Sequence, residues 1–215
     1  MADVAELAER LTKARTSITA IPQLSDDVPD LDLETGYAVQ RVLREGRGDL
    51  IGWKLGVTSR AKQVQVGVDS PIRGFLSSDH VLDYGEPLLV AEHINPRCEP
   101  EIAFVMGADL SGAHVTTTEV LGATGGVAAG IDLRLVGVVL EQNGDVIATA
   151  SGAASLGHPA AAVAWLVRSL AADGEGLRRG DVILSGGLTA ATPVRAGDSV
   201  VVTIDRIGSV ELACR

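Results

Sequence analysis

The sequence predicts a mixed α+β chain, on three observations. Two amphipathic helical stretches open it, an Asn143-Gly144 hairpin signal lies past its middle, and its end reads as short strands. At 215 residues the chain is long enough to bury a substantial core. We expect one structural unit, with a helical part over residues 1–50 and a mainly β core over 51–215.

Residues 2–19 carry Val4, Leu7, Ala8 and Leu11 on one helical face, and Pro22 with the acidic stretch 25–30 ends them. A second helix is expected over 33–47, apolar at Tyr37, Val39, Val42 and Leu43. Residues 59–66 suit a helical turn, and the GVDSPIRG stretch is rich in turn formers. A few short strands are expected after His80, and a helix over 119–129. Asn143-Gly144 then joins strands at 136–140 and 145–150, because both residues tolerate the positive φ of a tight hairpin turn. Pro159 suits the first turn of a helix whose buried face is Val163, Leu166, Val167 and Leu170. His158, just before it, reads as a capping or packing residue and is assigned no chemistry. Strands are expected at 181–184, 199–204 and 209–213.

Composition excludes several classes. Hydrophobic residues make up 46% and charged residues 21%, which is globular rather than disordered. A net charge of −10 argues against a nucleic-acid surface, which needs clustered Lys and Arg. No long charge-free apolar run predicts a membrane span, and the first residues lack the apolar centre of a signal peptide. Two cysteines, Cys98 and Cys214, are too few for a disulfide framework, so a reducing cytoplasm is expected.

The stretch INPRCEPEIAFVM, 94–106, carries the chemistry. Glu99 and Glu101 stand two apart, so in an extended chain they project together, with Cys98, Ile102, Phe104 and Met106 opposite. Neighbouring carboxylates repel unless a proton or a cation lies between them. We read that cation as a divalent metal holding the substrate; the alternative is a pair of solvated side chains on an exposed face. Pro100 between them implies a strand edge or a bulge. Lys54, in the apolar segment bracketed by Gly52 and Gly56, is either a snorkelling surface residue or an ammonium aimed at an anion. The sequence contains no Walker loop, GxGxxG, zinc-spaced cluster or GxSxG elbow.

Six stretches together resemble the fumarylacetoacetase-like hydratase and decarboxylase family of meta-cleavage catabolism. They are GWKLGVTS (52–59), GVDSPIRGFL (67–76), CEPEIAFV (98–105), LGHPAAAVAWL (156–166), GDVILSGGLTAATPV (180–194) and IGSV (207–210). The resemblance implies a rolled, mainly β core with flanking helices, and Mg²⁺ or Mn²⁺ held by carboxylates. It implies that Glu99 and Glu101 are two metal ligands, that Lys54 is catalytic, and that Val66, Ile72 and Thr189 face the substrate. The implied activity is decarboxylation of 2-oxo-3-hexenedioate to 2-hydroxypenta-2,4-dienoate, with hydration of 2-hydroxypentadienoate as the alternative. Ile72, where hydratases of the family carry an acid, and the GGLTAATPV loop favour the decarboxylase. The role of Arg73, beside it, is open. The implied partners are a 2-oxo acid and further copies of the chain, or a hydratase partner for which an inactive chain would serve as scaffold.

One departure stands out. The family's third carboxylate lies in a segment that this sequence skips between Gly130 and Ile131, and Asp132 aligns with the strand after it. A Cα separation far beyond the ~3.8 Å of a peptide bond would mean a chain break there rather than a deletion.

Overall fold

The computed structural model describes residues 3–126 and 131–215, so the junction at Gly130 falls outside the described residues. Among the described residues six α-helices appear: α1 (Val4–Thr16), α2 (Leu24–Asp27), α3 (Leu33–Glu45), α4 (Arg60–Val66), α5 (Thr117–Ala123) and α6 (Pro159–Ala172). The strands are β1 (Leu50–Gly56), β2 (Ile72–Ser77), β3 (Arg97–Cys98), β4 (Ala103–Val105), β5 (Gly137–Gln142), β6 (Asp145–Ser151), β7 (Val182–Leu184), β8 (Thr192–Pro193), β9 (Ser199–Ile204) and β10 (Gly208–Ala213).

Local chemistry sets most boundaries. The Asp3, Asp32 and Ser59 side chains accept backbone N–H groups at the starts of α1, α3 and α4. Asn143 and Gly144 adopt φ of 56° and 87°, the two positive values that the β5–β6 turn requires. Helix α5 starts earlier than the sequence suggests, because Thr116 and Glu119 form a reciprocal capping box. The end expected at 129 lies among residues not described. Of the short strands expected between His80 and the glutamates, the two-residue β3 forms among the described residues, and the stretch before it does not become strand. A 3₁₀ turn at Val90–Glu92 and one isolated bridge, Leu88 to Cys214, stand there instead.

The strands form two four-stranded sheets, ordered β2-β1-β7-β4 and β10-β9-β5-β6, with β3 and β8 paired separately. Among these strands, β1 and β7 pair in parallel and the other pairings are antiparallel. Helix α6 is buried at Ala160, Ala162, Val163, Ala164, Leu166, Val167 and Leu170, so it is covered on most of its circumference. Side chains of both sheets meet it in one core: Trp53, Leu55, Phe104 and Ile183 from the first, Val138 and Ile204 from the second. This is the α+β arrangement with a rolled β core that the resemblance implies. Helices α1 and α3 share a smaller cluster of Leu7, Ala8 and Val39. Among the described residues no helix is long and apolar enough to cross a membrane.

Candidate active site

The glutamates stand where the chain leaves regular structure. Residues 99–102 join β3 to β4, at the edge of the first sheet, so Pro100 costs no ladder hydrogen bond. Phe104 and Met106 are buried as expected, and so is Ile102. Cys98 instead packs in a second cluster with Cys214, Leu140 and Val200.

The loop 185–189 holds this segment from one side. Ser185 N–H donates to the Ile102 carbonyl at 3.1 Å, and Leu188 N–H to the Pro100 carbonyl at 2.9 Å. Between those anchors the Gly186 N–H donates to Glu101 Oε2 at 2.6 Å. Gly187 lies against the Glu99 carboxylate so closely that a Cβ there would overlap it. The two glycines are therefore a steric condition of the site. Thr189, buried in the same loop, donates its hydroxyl to the Ala190 carbonyl at 3.1 Å.

Two lysines face the pair. Lys54 is in register with Leu184 on β7 and with Gly74 on β2, which puts it on the sheet face that Glu101 and Ala103 share. Lys62, on α4, places Nζ 2.5 Å from Glu99 Oε1. Burial pushes the Glu101 carboxyl above its ordinary range, and Glu99 adds to the rise. Lys54, the Gly186 amide and Lys62 oppose it. Among the described residues no hydrogen bond reaches the second Glu101 oxygen.

Both glutamates open onto a cavity of about 640 Å³. Most of its wall is apolar, including Ile131, Leu133, Leu184, Val202 and Val210, and Arg206 and Ser209 line it as well. Val66 and Ile72 do not line it. Val66 is exposed, and Ile72 contributes to a separate surface hollow with Leu33 and Val68. His158 caps α6, its Nδ1 accepting the Ala160 N–H at 3.0 Å, which matches the capping role read from the sequence. Lys62 is the residue that sequence reasoning missed. It lies between two of the matching stretches, and nothing in its spacing ties it to a glutamate 37 residues away.

For a divalent cation the donor set is right in kind and short in number. Two carboxylates, each with one oxygen left without a hydrogen bond among the described residues, are the hard donors Mg²⁺ takes, and Mg²⁺ sites often use only one or two protein carboxylates plus substrate. Among the described residues no group of three or more His, Cys, Asp or Glu is placed to hold a metal, and residues 127–130 are Val-Ala-Ala-Gly. Glu99 and Glu101 fit as a partial shell.

Comparison with known proteins places this geometry. The fumarylacetoacetate (FAA) hydrolase C-terminal profile matches residues 128–214. A 4-oxalocrotonate decarboxylase of Pseudomonas sp. (strain CF600) is 36% identical, over 96% of this chain and 95% of its own length. The chain belongs to the fumarylacetoacetate hydrolase family. Within that family, the TodF product hydratase of Pseudomonas putida strain F1 is 34% identical, over 98% of this chain and 94% of the relative. The structure of 4-oxalocrotonate decarboxylase from Pseudomonas putida G7, complexed with magnesium and adipate, superposes with a TM-score of 0.92 at 33% identity. It covers 99% of this chain and 97% of that one. The two sequence alignments run over 250 and 254 residues, more than the 215 present here, so these family members carry residues without a counterpart in this chain.

Proposed function

We propose that the chain is a divalent-metal-dependent lyase that decarboxylates 2-oxo-3-hexenedioate to 2-hydroxypenta-2,4-dienoate. The observation that carries this reading is the Glu99–Glu101 pair, flanked by Lys54 and Lys62 and opening onto an apolar cavity. Glu99 and Glu101 would hold Mg²⁺ or Mn²⁺, which when bound supplies Lewis-acid polarisation of the carboxylate and 2-oxo oxygens. The cytoplasm is the expected compartment, since both cysteines are free thiols.

The chain's own residues do the remaining work. Lys54 faces the pair and neutralises negative charge that gathers on the 2-oxo oxygen. The bond to the distal carboxylate carbon breaks, its electron pair runs through the conjugated chain to that oxygen, and one proton is taken up there as CO₂ leaves. The apolar part of the cavity wall solvates a departing carboxylate poorly, which favours the neutral product. A net charge of −10 repels a dianion at long range, so binding relies on local cations. Thr189 supports the reading as part of the loop that seats the glutamates. Val66 and Ile72 would reach substrate only by a rearrangement around α4.

Assaying CO₂ release with and without Mg²⁺ tests this directly. Glu101→Ala or excess chelator should lower turnover at least ~100-fold with the fold retained. Full activity in chelator would overturn the metal's role. The near-equal identity to a hydratase favours a second reading, hydration of 2-hydroxypentadienoate at the same residues, which product analysis separates. The short donor set favours a third, a scaffold for a hydratase partner. No metal binding together with tight association to a hydratase would select it, and sedimentation of the chain alone and mixed reads both that complex and any homo-oligomer.

A further inference from the structure

Two of the four carboxylate oxygens at the pair are already engaged. Glu99 Oε1 is held by the Lys62 ammonium at 2.5 Å, and Glu101 Oε2 by the Gly186 amide at 2.6 Å. Lys54 adds a second positive charge to the field at Glu101. A cation arriving alone therefore meets the Lys62 ammonium already beside Glu99, whose positive charge opposes it, and must still find most of its six oxygens elsewhere. A 2-oxo acid changes both conditions at once. Its carboxylate gives Lys62 another anion to pair with, and its carboxylate and oxo oxygens, set side by side, complete a chelate that two glutamates leave open.

We propose that this chain binds its divalent cation and its 2-oxo acid cooperatively, with Lys62 as the positioning residue that couples them by exchanging Glu99 for the acid's carboxylate. The inference rests on the metal-and-oxo-acid reading above and adds an order of assembly to it. By linkage each ligand must raise the other's affinity by the same factor. Metal-free and loaded states then differ mainly in where the Lys62 ammonium lies.

The test is a titration with Mn²⁺, read by the paramagnetic resonance signal of the free ion, on the full chain. It is run alone, with saturating pyruvate, and with acetate, which lacks the oxo group. Pyruvate should tighten Mn²⁺ binding about tenfold and acetate should leave it within twofold. Lys62→Met should bind Mn²⁺ alone several-fold more tightly than the wild type, with the effect of pyruvate reduced to less than about threefold. Equal Mn²⁺ affinity with and without pyruvate would overturn the coupling while leaving the metal site standing. A Lys62→Met variant with unchanged coupling would overturn the part given to Lys62. No Mn²⁺ binding under any condition would overturn the metal reading itself, and the coupling with it.

Discussion

Single side chains decide how closely the two carboxylates can be held. Gly187 leaves room for the Glu99 carboxylate, and a methyl group there would also lie 3.0 Å from Lys62 Nζ. Both neighbours are ends of flexible side chains, so Gly187→Ala should fold normally and misplace Glu99. A displacement of this size beside reacting groups costs about 100-fold in turnover, and thermal melting alongside steady-state kinetics checks both halves. Behind the site, Thr58 Oγ1 and Ser185 Oγ are buried without a hydrogen-bond partner among the described residues. A buried hydroxyl left unpaired costs about 1–3 kcal/mol. Thr58→Val keeps the shape and removes the unpaired group, so it should raise stability by about 1 kcal/mol in denaturant titration. A lower midpoint would show that the hydroxyl has a partner in solution. That Glu99 and Glu101 lie together was legible in the sequence, because residues two apart in an extended segment project together, here in the connection between β3 and β4. Lys62 was not, because its contact with Glu99 exists only once α4 and the β3–β4 segment are packed together.

Elements were legible where a boundary is set by its own neighbours in the chain. Pro159 with His158, Asn143 with Gly144, and the apolar stripe of α6 each act within one turn or one hairpin. The segment after His80 was misread because its short apolar groups suggested strands, whereas most of its backbone finds no ladder partner. How helices α1 and α3 attach to the β core was likewise invisible, because contacts across long separations, ion pairs among them, do that work. Arg15 on α1 and Arg47 just after α3 both reach Asp79, at 3.3 and 2.8 Å. The Ser77 hydroxyl, Arg15 and His80 hold the Asp79 carboxyl below its ordinary range. A depressed folded value means that Asp79 stabilises the fold while ionised. That stability is present above the ordinary carboxylate value of about 3.9 and is lost as pH falls through the lower folded one. The protection of residues 4–16 against hydrogen exchange, taken relative to the intrinsic rate at each pH, should therefore fall on acidification below about pH 4. Asp79→Asn should exchange faster already at neutral pH and lose the Asp79-linked part of the acid step.

Across the whole molecule, one buried arginine joins three layers that the sequence left unconnected. Arg73 alternates with Gly74 on β2, so Gly74 gives the Lys54 stem room on one sheet face while Arg73 points to the other. There the guanidinium stacks on Tyr37 of α3, 4.4 Å from the ring centroid, and lies 5.8 Å from the Trp53 ring. It donates to Asp173 at the end of α6 at 2.6 Å and to the Ser169 hydroxyl at 3.0 Å. The side chain is only 5% exposed, so its charge is tolerated because these partners surround it. Arg73→Met should cost about 3 kcal/mol, since Asp173 would keep only the longer, exposed contact to Arg41 at 3.4 Å. Arg73→Lys should recover less than half of that, because an ammonium can neither stack flat on Tyr37 nor reach Ser169 and Asp173 together. Both variants should keep the wild-type turnover per folded molecule, as Arg73 faces away from the cavity. Denaturant titration paired with active-site-normalised rates checks this. A loss of turnover without a loss of stability would mean instead that Arg73 acts on the site through β2, and that the two faces of the strand are coupled.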